Sequence, residues 1–310
     1  MTKFKHLKKV AMAGCLALAS SLNAGAATWT LTGALVTHDP SIYKEGNTWW
    51  ITETSDTGIG VKFSPDGRAW TQGGSIFAGG LPWWGQYNNN TKTAWAPDIQ
   101  VWNGKAIMYY AVSSFGNQKS AIGLATASSI IKGDWVDKGP ILTSAPGDNF
   151  NAIDPNFVVD KAGQPWLSYG SFQQGIFLTR VDANTLKPTG TRYRLADDDI
   201  GIENPFIIAN GSYYYLFVSK GSCCAGANST YHISYGRSTS ITGPYVDKNG
   251  VNMVNGGGTV LDSGGARFIA PGGESISNGA MVRHRLDSQN GYNGVLFISD
   301  LTFSNGWPTF

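Results

Sequence analysis

The sequence predicts an all-β fold, a β-propeller contained in a single domain. Three observations carry that prediction. A short acid-containing motif, followed by two strand-like runs, recurs along the chain at intervals near 50 residues. Glycine accounts for 40 of 310 residues and aromatics for 12%, while charged residues are only 14%. This composition suits aromatic strands joined by tight turns. Beyond the first 26 residues, no stretch keeps a helical period for three turns. A recurrence of about 50 residues built from short strands marks propeller blades of roughly four strands each.

Residues 1–26 read as a targeting segment. Lys3, Lys5, Lys8 and Lys9 form a basic head, Val10 to Leu22 is mostly small or apolar, and Ala24-Gly25-Ala26 is an A-x-A cleavage site. The apolar run is too short to span a bilayer, so the chain is expected to be secreted, extracellular or periplasmic, with cleavage near Ala26. Removing four lysines and no acid takes the formal net charge from +2 to −2. A nearly neutral surface offers nothing to nucleic acid or to an anionic membrane. Residues 27–310 contain no linker or low-complexity tract and are expected to form one domain.

The blades are read from the repeated motif. His38-Asp39-Pro40-Ser41-Ile42 leads into TWWITET, Trp95-Ala96-Pro97-Asp98-Ile99 into KAIMYYAVS, and Ile153-Asp154-Pro155-Asn156-Phe157 into QPWLSYGS. The fullest copy is GIENPFIIANGSYYYLFVS at 201–219, where Asn210-Gly211 punctuates two β-prone runs as a hairpin turn. A weaker fifth copy starts at Gly272-Gly273-Glu274 and ends at Val295 to Ser299. The acids at 39, 98, 154, 203 and 274 are spaced by 59, 56, 49 and 71 residues. Innermost strands line the axis of a propeller, so acids at their entrances converge there. Such convergence costs charge repulsion and desolvation, which points to function. The competing reading is that Asp-Pro and Asn-Pro only initiate turns; for Asp98, displaced to the far side of Pro97, the two readings stand level. A short strand near Trp29 to Thr32 is expected to complete the last blade and close the ring.

Cys223 and Cys224, the two cysteines beyond the leader, are adjacent. They form either a vicinal ring or a pair of thiols, and they cannot staple distant segments. His38, His232 and His284 lie far apart, and no HExxH, CxxC or G-x-S-x-G is present. Nothing here supports a zinc or iron enzyme or a serine hydrolase. Eleven tryptophans in a weakly charged chain suit carbohydrate, whose apolar faces stack on aromatic rings, although most of them serve packing. Carboxylates plus aromatics without a metal motif fit glycoside hydrolysis. One carboxylic acid protonates the leaving oxygen, another carboxylate activates water or attacks carbon, and a third raises the donor's pKa by repulsion.

The motifs HDPSI at 38–42, TAWAPDI at 93–99, SSFGNQKSAIGLAT at 113–126, NAIDPN at 151–156, SYGSFQQGI at 168–176 and IENPF at 202–206 together resemble glycoside hydrolase family 43. The block GSCCAGANSTYHISYGRSTSITGPYVD at 221–247 is most similar to the family's endo-α-1,5-L-arabinanases. The likeness runs from about Trp29 to Pro308. It implies a five-bladed propeller and an inverting mechanism, with Asp39 as general base, Glu203 as general acid and Asp154 tuning and orienting Glu203. Inversion requires a water between base and sugar, hence carboxyls about 6.5–9.5 Å apart. The resemblance also implies that Trp95 and Phe115 stack on substrate, against the alternative of packing between blades. Gly116, Asn151, Ser171 and Phe172 would contact bound sugars, and His38 would orient either the base or the substrate. The implied partner is arabinan or its oligosaccharides, acted on by a monomer.

Two departures from the family pattern bear on detail. The family often carries a histidine after the last blade's Pro-Gly, near a cation on the axis, but this chain reads Pro271-Gly272-Gly273-Glu274. No cofactor is expected to be required: either no cation binds, or an axial Ca2+ has water or Glu274 in place of the imidazole. Gln173 stands where the family has an aromatic after Ser-Phe, which alters one stacking subsite. The alternatives to endo-acting hydrolysis are an exo-arabinanase, arabinofuranosidase or xylosidase of the same family, and a non-catalytic carbohydrate-binding propeller.

Overall fold

The computed structural model describes residues 27–172 and 174–310. The targeting segment and the Gln173 subsite lie outside the described residues. Five antiparallel sheets follow one another along the chain. Blade 1 is Ser41–Glu45, Thr48–Thr54, Thr57–Ser64 and Ala69–Ile76. Blade 2 is Trp95–Trp102, Lys105–Val112, Ser120–Ala127 and Val136–Ser144. Blade 3 is Asn156–Val159, Pro165–Gly170, Ile176–Val181 and Pro188–Ala196. Blade 4 is Ile202–Asn210, Tyr213–Lys220, His232–Ser238 and Thr259–Asp262. Blade 5 supplies three strands, Phe268–Ser277, Ala280–Asp287 and Asn293–Asp300. Each repeated motif sits at the entrance of an innermost strand, as the sequence predicts.

The ring closes on blade 5, though not through one regular strand at Trp29 to Thr32. The Trp29 N–H donates to the Ile298 carbonyl (2.8 Å), the Leu296 N–H to Leu35 (2.7 Å) and the Thr37 N–H to Gly294 (3.0 Å). Between these contacts Thr32–Gly33 leaves to pair in parallel with Ala69 and Trp70 of blade 1. The N-terminal segment thus straddles the seam and satisfies both edges, which a single straight strand cannot do.

Every innermost strand has a left-handed residue near its entrance: Asp39 (φ 44°), Ala96 (40°), Asp154 (51°), Asn204 (50°) and Ala270 (50°), the last followed by Gly273 (62°). Asp39, Ala96, Asp154, Asn204 and Ala270 each precede proline, where left-handed backbone is doubly disfavoured. Each such residue stores strain on the order of 1–3 kcal/mol, of the kind that collects at functional sites. Three innermost strands also break register beside this residue, at Trp95/Asp98, Glu203/Phe206 and Gly272/Ser275. Bulges of this kind re-aim side chains, so the five acids do not occupy equivalent places. Asp39 and Asp154 are themselves the left-handed residues, Glu203 comes just before its own, and Asp98 comes two residues after.

That offset decides between the two readings of Asp98. Its carboxylate is buried and accepts from the Phe157 N–H (2.6 Å), Gln100 Nε2 (3.1 Å), Asn156 Nδ2 (3.3 Å) and Ser41 Oγ (3.4 Å). Burial raises its pKa to about 6 against those lowering bonds. Asp98 ties blades 1, 2 and 3 together beneath the axial mouth.

The core is divided among the five interfaces between blades. Trp84, Met108 and Tyr110 fill the first, Tyr109, Phe157 and Leu167 the second, and Leu178, Ile207 and Leu216 the third. Phe217, Tyr235 and Met281 fill the fourth, and Ile51, Trp70, Val282 and Ile298 the fifth, which is the seam. Ile298 is fully buried. Ile298→Ala is expected to destabilise the fold by about 2–5 kcal/mol, read as a lower denaturant midpoint with an unchanged slope.

Candidate active site

Two adjoining lobes, of about 320 and 230 Å³, form one cleft at the mouth of the axis. They share Trp95, Phe115, Ile153, Glu203 and Cys223. The inner lobe adds His38, Asp39, Asp154 and Tyr231, and the outer lobe adds Gly116, Asn151, Ser171 and Phe172. All ten residues singled out from the sequence therefore line this cleft. A groove of similar volume between Trp50 and Trp135 contains no titratable side chain.

Asp39 is fixed from three directions. Its Oδ2 accepts from Thr54 Oγ1 (2.7 Å), and Thr54 Oγ1 in turn accepts from the Ala96 N–H (2.9 Å). The Asp39 N–H donates to His284 Nδ1 (3.2 Å), so that nitrogen carries no proton. Burial, then the nearby His38, hold the His284 pKa well below its ordinary value, and the ring stays neutral. His38 stacks on His284 with ring centroids 4.2 Å apart and its Nε2 3.6 Å from Asp39 Oδ1. The other Asp39 oxygen is thus left to face the cleft between two imidazoles.

Glu203 is held by two hydroxyls. Ser171 Oγ donates to Oε1 (2.9 Å) and Tyr231 OH donates to Oε2. Ser171 is buried and spends its hydroxyl on the acid, which limits what its side chain offers to a sugar. Desolvation pushes the Glu203 pKa up, the charge of Asp39 adds to that, and the two hydroxyl bonds work in the opposite direction. Asp154 lies in the same inner lobe and accepts the Asn204 N–H at Oδ2 (3.1 Å). Its pKa is held well above the carboxylate range by desolvation first, then by the charges of Glu203, Asp39 and Glu274. Glu203 and Asp154 thus form a coupled pair that retains a proton where ordinary carboxylates have lost theirs. Asn204 also donates to the Glu274 carbonyl through Nδ2 (3.0 Å), which locks the backbone beside Glu203 to blade 5.

Phe115 is 82% exposed and Phe172 44%. Such exposure is foreign to packing between blades. Trp95 is half-buried and borders both lobes. Asn151 accepts from Ser144 Oγ (3.2 Å), leaving its amide NH2 free of that bond. Cys223 and Cys224 form a disulfide in the cleft wall.

A side chain at Gly273 has no room. A Cβ at 273 would stand 2.7 Å from Asp39 Oδ1 and 2.8 Å from His284 Nδ1. His284, from the next strand, already fills that space. Below it, Glu274 Oε1 is buried without a partner and faces a cavity of about 10 Å³ shared with Asp39, Asp98 and Asn204. Burial lifts Glu274 to about 8, and beside it lies space for about one water. Calcium takes 6–8 oxygen ligands. Here the Asp98 oxygens are already engaged, whereas His38, Asp39 and His284 bring ligand atoms within 4.8 Å of one another, close enough to hold an ion.

Thr54, Tyr231 and His284 were not among the residues predicted from the sequence. Only Tyr231 carries a hint, since it lies within the arabinanase-like block at 221–247.

A five-bladed propeller with a carboxyl pair and a further carboxylate at its mouth defines a glycoside hydrolase. The model of the Glycosyl hydrolases family 43 matches residues 32–308, and the chain belongs to that family. It is 46% identical to the extracellular endo-alpha-(1->5)-L-arabinanase 1 of Bacillus subtilis (strain 168), over 99% of this chain and 98% of that one. It superposes on the GH43 endo-arabinanase from Bacillus licheniformis with a TM-score of 0.88 and 52% identity, covering 91% of this chain and 100% of that one. The extracellular exo-alpha-(1->5)-L-arabinofuranosidase ArbA of Cellvibrio japonicus (strain Ueda107) is 36% identical over 87% of this chain and 85% of its own.

Proposed function

We propose that this glycoside hydrolase is a secreted enzyme cleaving internal α-1,5-L-arabinofuranosyl linkages of arabinan by single displacement. Glu203 protonates the leaving glycosidic oxygen while Asp39 accepts a proton from the water attacking the anomeric carbon, which inverts configuration. Asp154 shares with Glu203 a desolvated site that retains a proton and, through the Asn204 N–H, fixes the backbone beside it. Thr54 and the two imidazoles aim Asp39. The observation that carries this reading is the meeting of Asp39, Asp154 and Glu203 in one cleft lobe although they are remote along the chain. The similar extracellular endo-arabinanase supports both the substrate and the secretion.

Endo action is favoured because Glu203 borders both lobes, leaving room for chain on either side of the donor. The exo-acting relative favours a second reading, terminal cleavage. Incubation with debranched linear arabinan separates the two. A time course passing through mixed oligomers is the expected result; one short product from the outset shows exo or processive action, and binding without products shows a lectin-like module. No cofactor is required for this mechanism, so the same assay after exhaustive EDTA dialysis is expected to keep its full rate; loss restored by Ca2+ would contradict this and place the ion at His38, Asp39 and His284.

A further inference from the structure

Cys223 packs against Tyr231, Ala270 and Leu286, but the covalent link from Cys223 to Cys224 adds little to the fold. Disulfide stabilisation grows with the length of chain enclosed, and a bond between neighbours encloses the shortest loop available. The loop that carries it is already tied without it. The Gly221 N–H donates to the Gly201 carbonyl (3.0 Å), the Thr230 N–H to Ser222 (2.9 Å) and the Ala225 N–H to Ser229 Oγ (2.9 Å). Its position is informative. Cys223 borders both lobes and Cys224 the inner one, beside the acids, and Cys224 Sγ lies 3.8 Å from His38 Nε2. The loop belongs to blade 4, whereas Trp95 and Phe115 belong to blade 2, so the sulfurs and the aromatic faces reach the cleft from blades that are not neighbours in the ring.

We propose that the Cys223–Cys224 ring is a substrate-contacting wall, facing the C–H side of a pentofuranose unit held against Trp95 and Phe115, and that it sets affinity for the polymer rather than the rate of cleavage. A disulfide has no donor and only weak acceptor capacity, and its sulfur is polarizable. It therefore offers dispersion contact to a C–H face without competing for the sugar hydroxyls. Covalent closure presents both sulfurs in a fixed place, so little is lost in ordering the wall when substrate binds. The identity of the sugar rests on the function proposed above; the wall itself does not.

The test compares the wild type with Cys223→Ala/Cys224→Ala. Steady-state kinetics are read on debranched arabinan and on an aryl arabinofuranoside, calorimetric Kd on a linear arabino-oligosaccharide, and Tm on both proteins. The double variant is expected to raise KM for arabinan and the oligosaccharide Kd by about 5–10-fold, a loss of about one contact's worth of affinity. It is expected to leave kcat within about twofold and Tm nearly unchanged. Treating the wild type with a phosphine should reproduce the effect and do nothing to the variant. In that step the phosphine and one water convert the disulfide to two thiols and phosphine oxide. Unchanged KM and Kd would overturn the proposal. So would an equal fall in kcat on polymer and aryl glycoside, which would mean that the ring only supports Tyr231. If the wild type binds oligosaccharide without cleaving it, the hydrolase reading fails and the Kd comparison still decides the wall. Absence of both cleavage and binding would overturn both.

Discussion

Glu203→Gln is expected to lower kcat on debranched arabinan by about 10²–10⁴-fold, the usual worth of a positioned proton donor. The amide keeps the shape of the side chain and can still accept from Ser171, but it carries no proton to give. On an aryl arabinofuranoside whose leaving group departs without protonation, most of the loss should disappear. Equal losses on both substrates would remove Glu203 from the donor role and leave it a binding residue. Tm provides a second readout. A carboxyl raised in the folded state stabilises the fold below its unfolded pKa and loses that contribution as pH rises through the folded value. At neutral pH, therefore, the permanently neutral amide of the variant should not destabilise the protein, and an inactive but well-folded enzyme is expected.

Asp154→Asn is expected to have the second largest effect, and its signature is a pH profile. Glu203 and Asp154 share a desolvated site in which both pKa values are raised. Removing one carboxylate removes the repulsion that keeps the remaining acid protonated, so the alkaline limb of kcat/KM should move to lower pH by about one unit or more. The variant should also melt higher at pH 7 than at pH 4 relative to wild type, by about 2–4 °C for each kcal/mol of repulsion relieved. A fall in rate with the alkaline limb unmoved would show that Asp154 acts only by holding the Asn204 N–H.

The architecture was largely legible in the sequence because a propeller is written as a repeat. Each copy needs the same tight entrance to its inner strand, and the Asp-Pro and Asn-Pro pairs record it. The acids were harder to rank. Asp39 and Asp154 are the left-handed residues of their copies, but a bulge offsets Asp98, Glu203 and Glu274 by one or two positions. Sequence spacing cannot reveal which way a bulge turns a side chain, so Asp98 stayed undecided until its four hydrogen bonds were visible. Thr54, Tyr231 and His284 were missed for a related reason. Each acts by touching a catalytic residue from another strand or blade, and one hydroxyl or imidazole has no spacing of its own. The state of Cys223 and Cys224 was open for the same cause, since only the fold brings their loop to the cleft. Gly273 shows the converse: the glycine can be read from the chain, but not that Asp39 and His284 leave no room for a side chain there.

The seam between the first and last blades has a consequence for how the molecule comes into being. Four of the five interfaces join stretches that follow one another during synthesis, whereas the seam links residues 271 positions apart, Trp29 Nε1 to Asp300. The opening segment must wait, unpaired, while nearly the whole polypeptide emerges, and contacts so remote carry the largest loop-closure penalty and form late. Since Asp39 follows directly on that waiting segment, the reactive centre comes together only when the circle is complete. A molecule truncated during manufacture would carry most of its blades and no working acid–base pair.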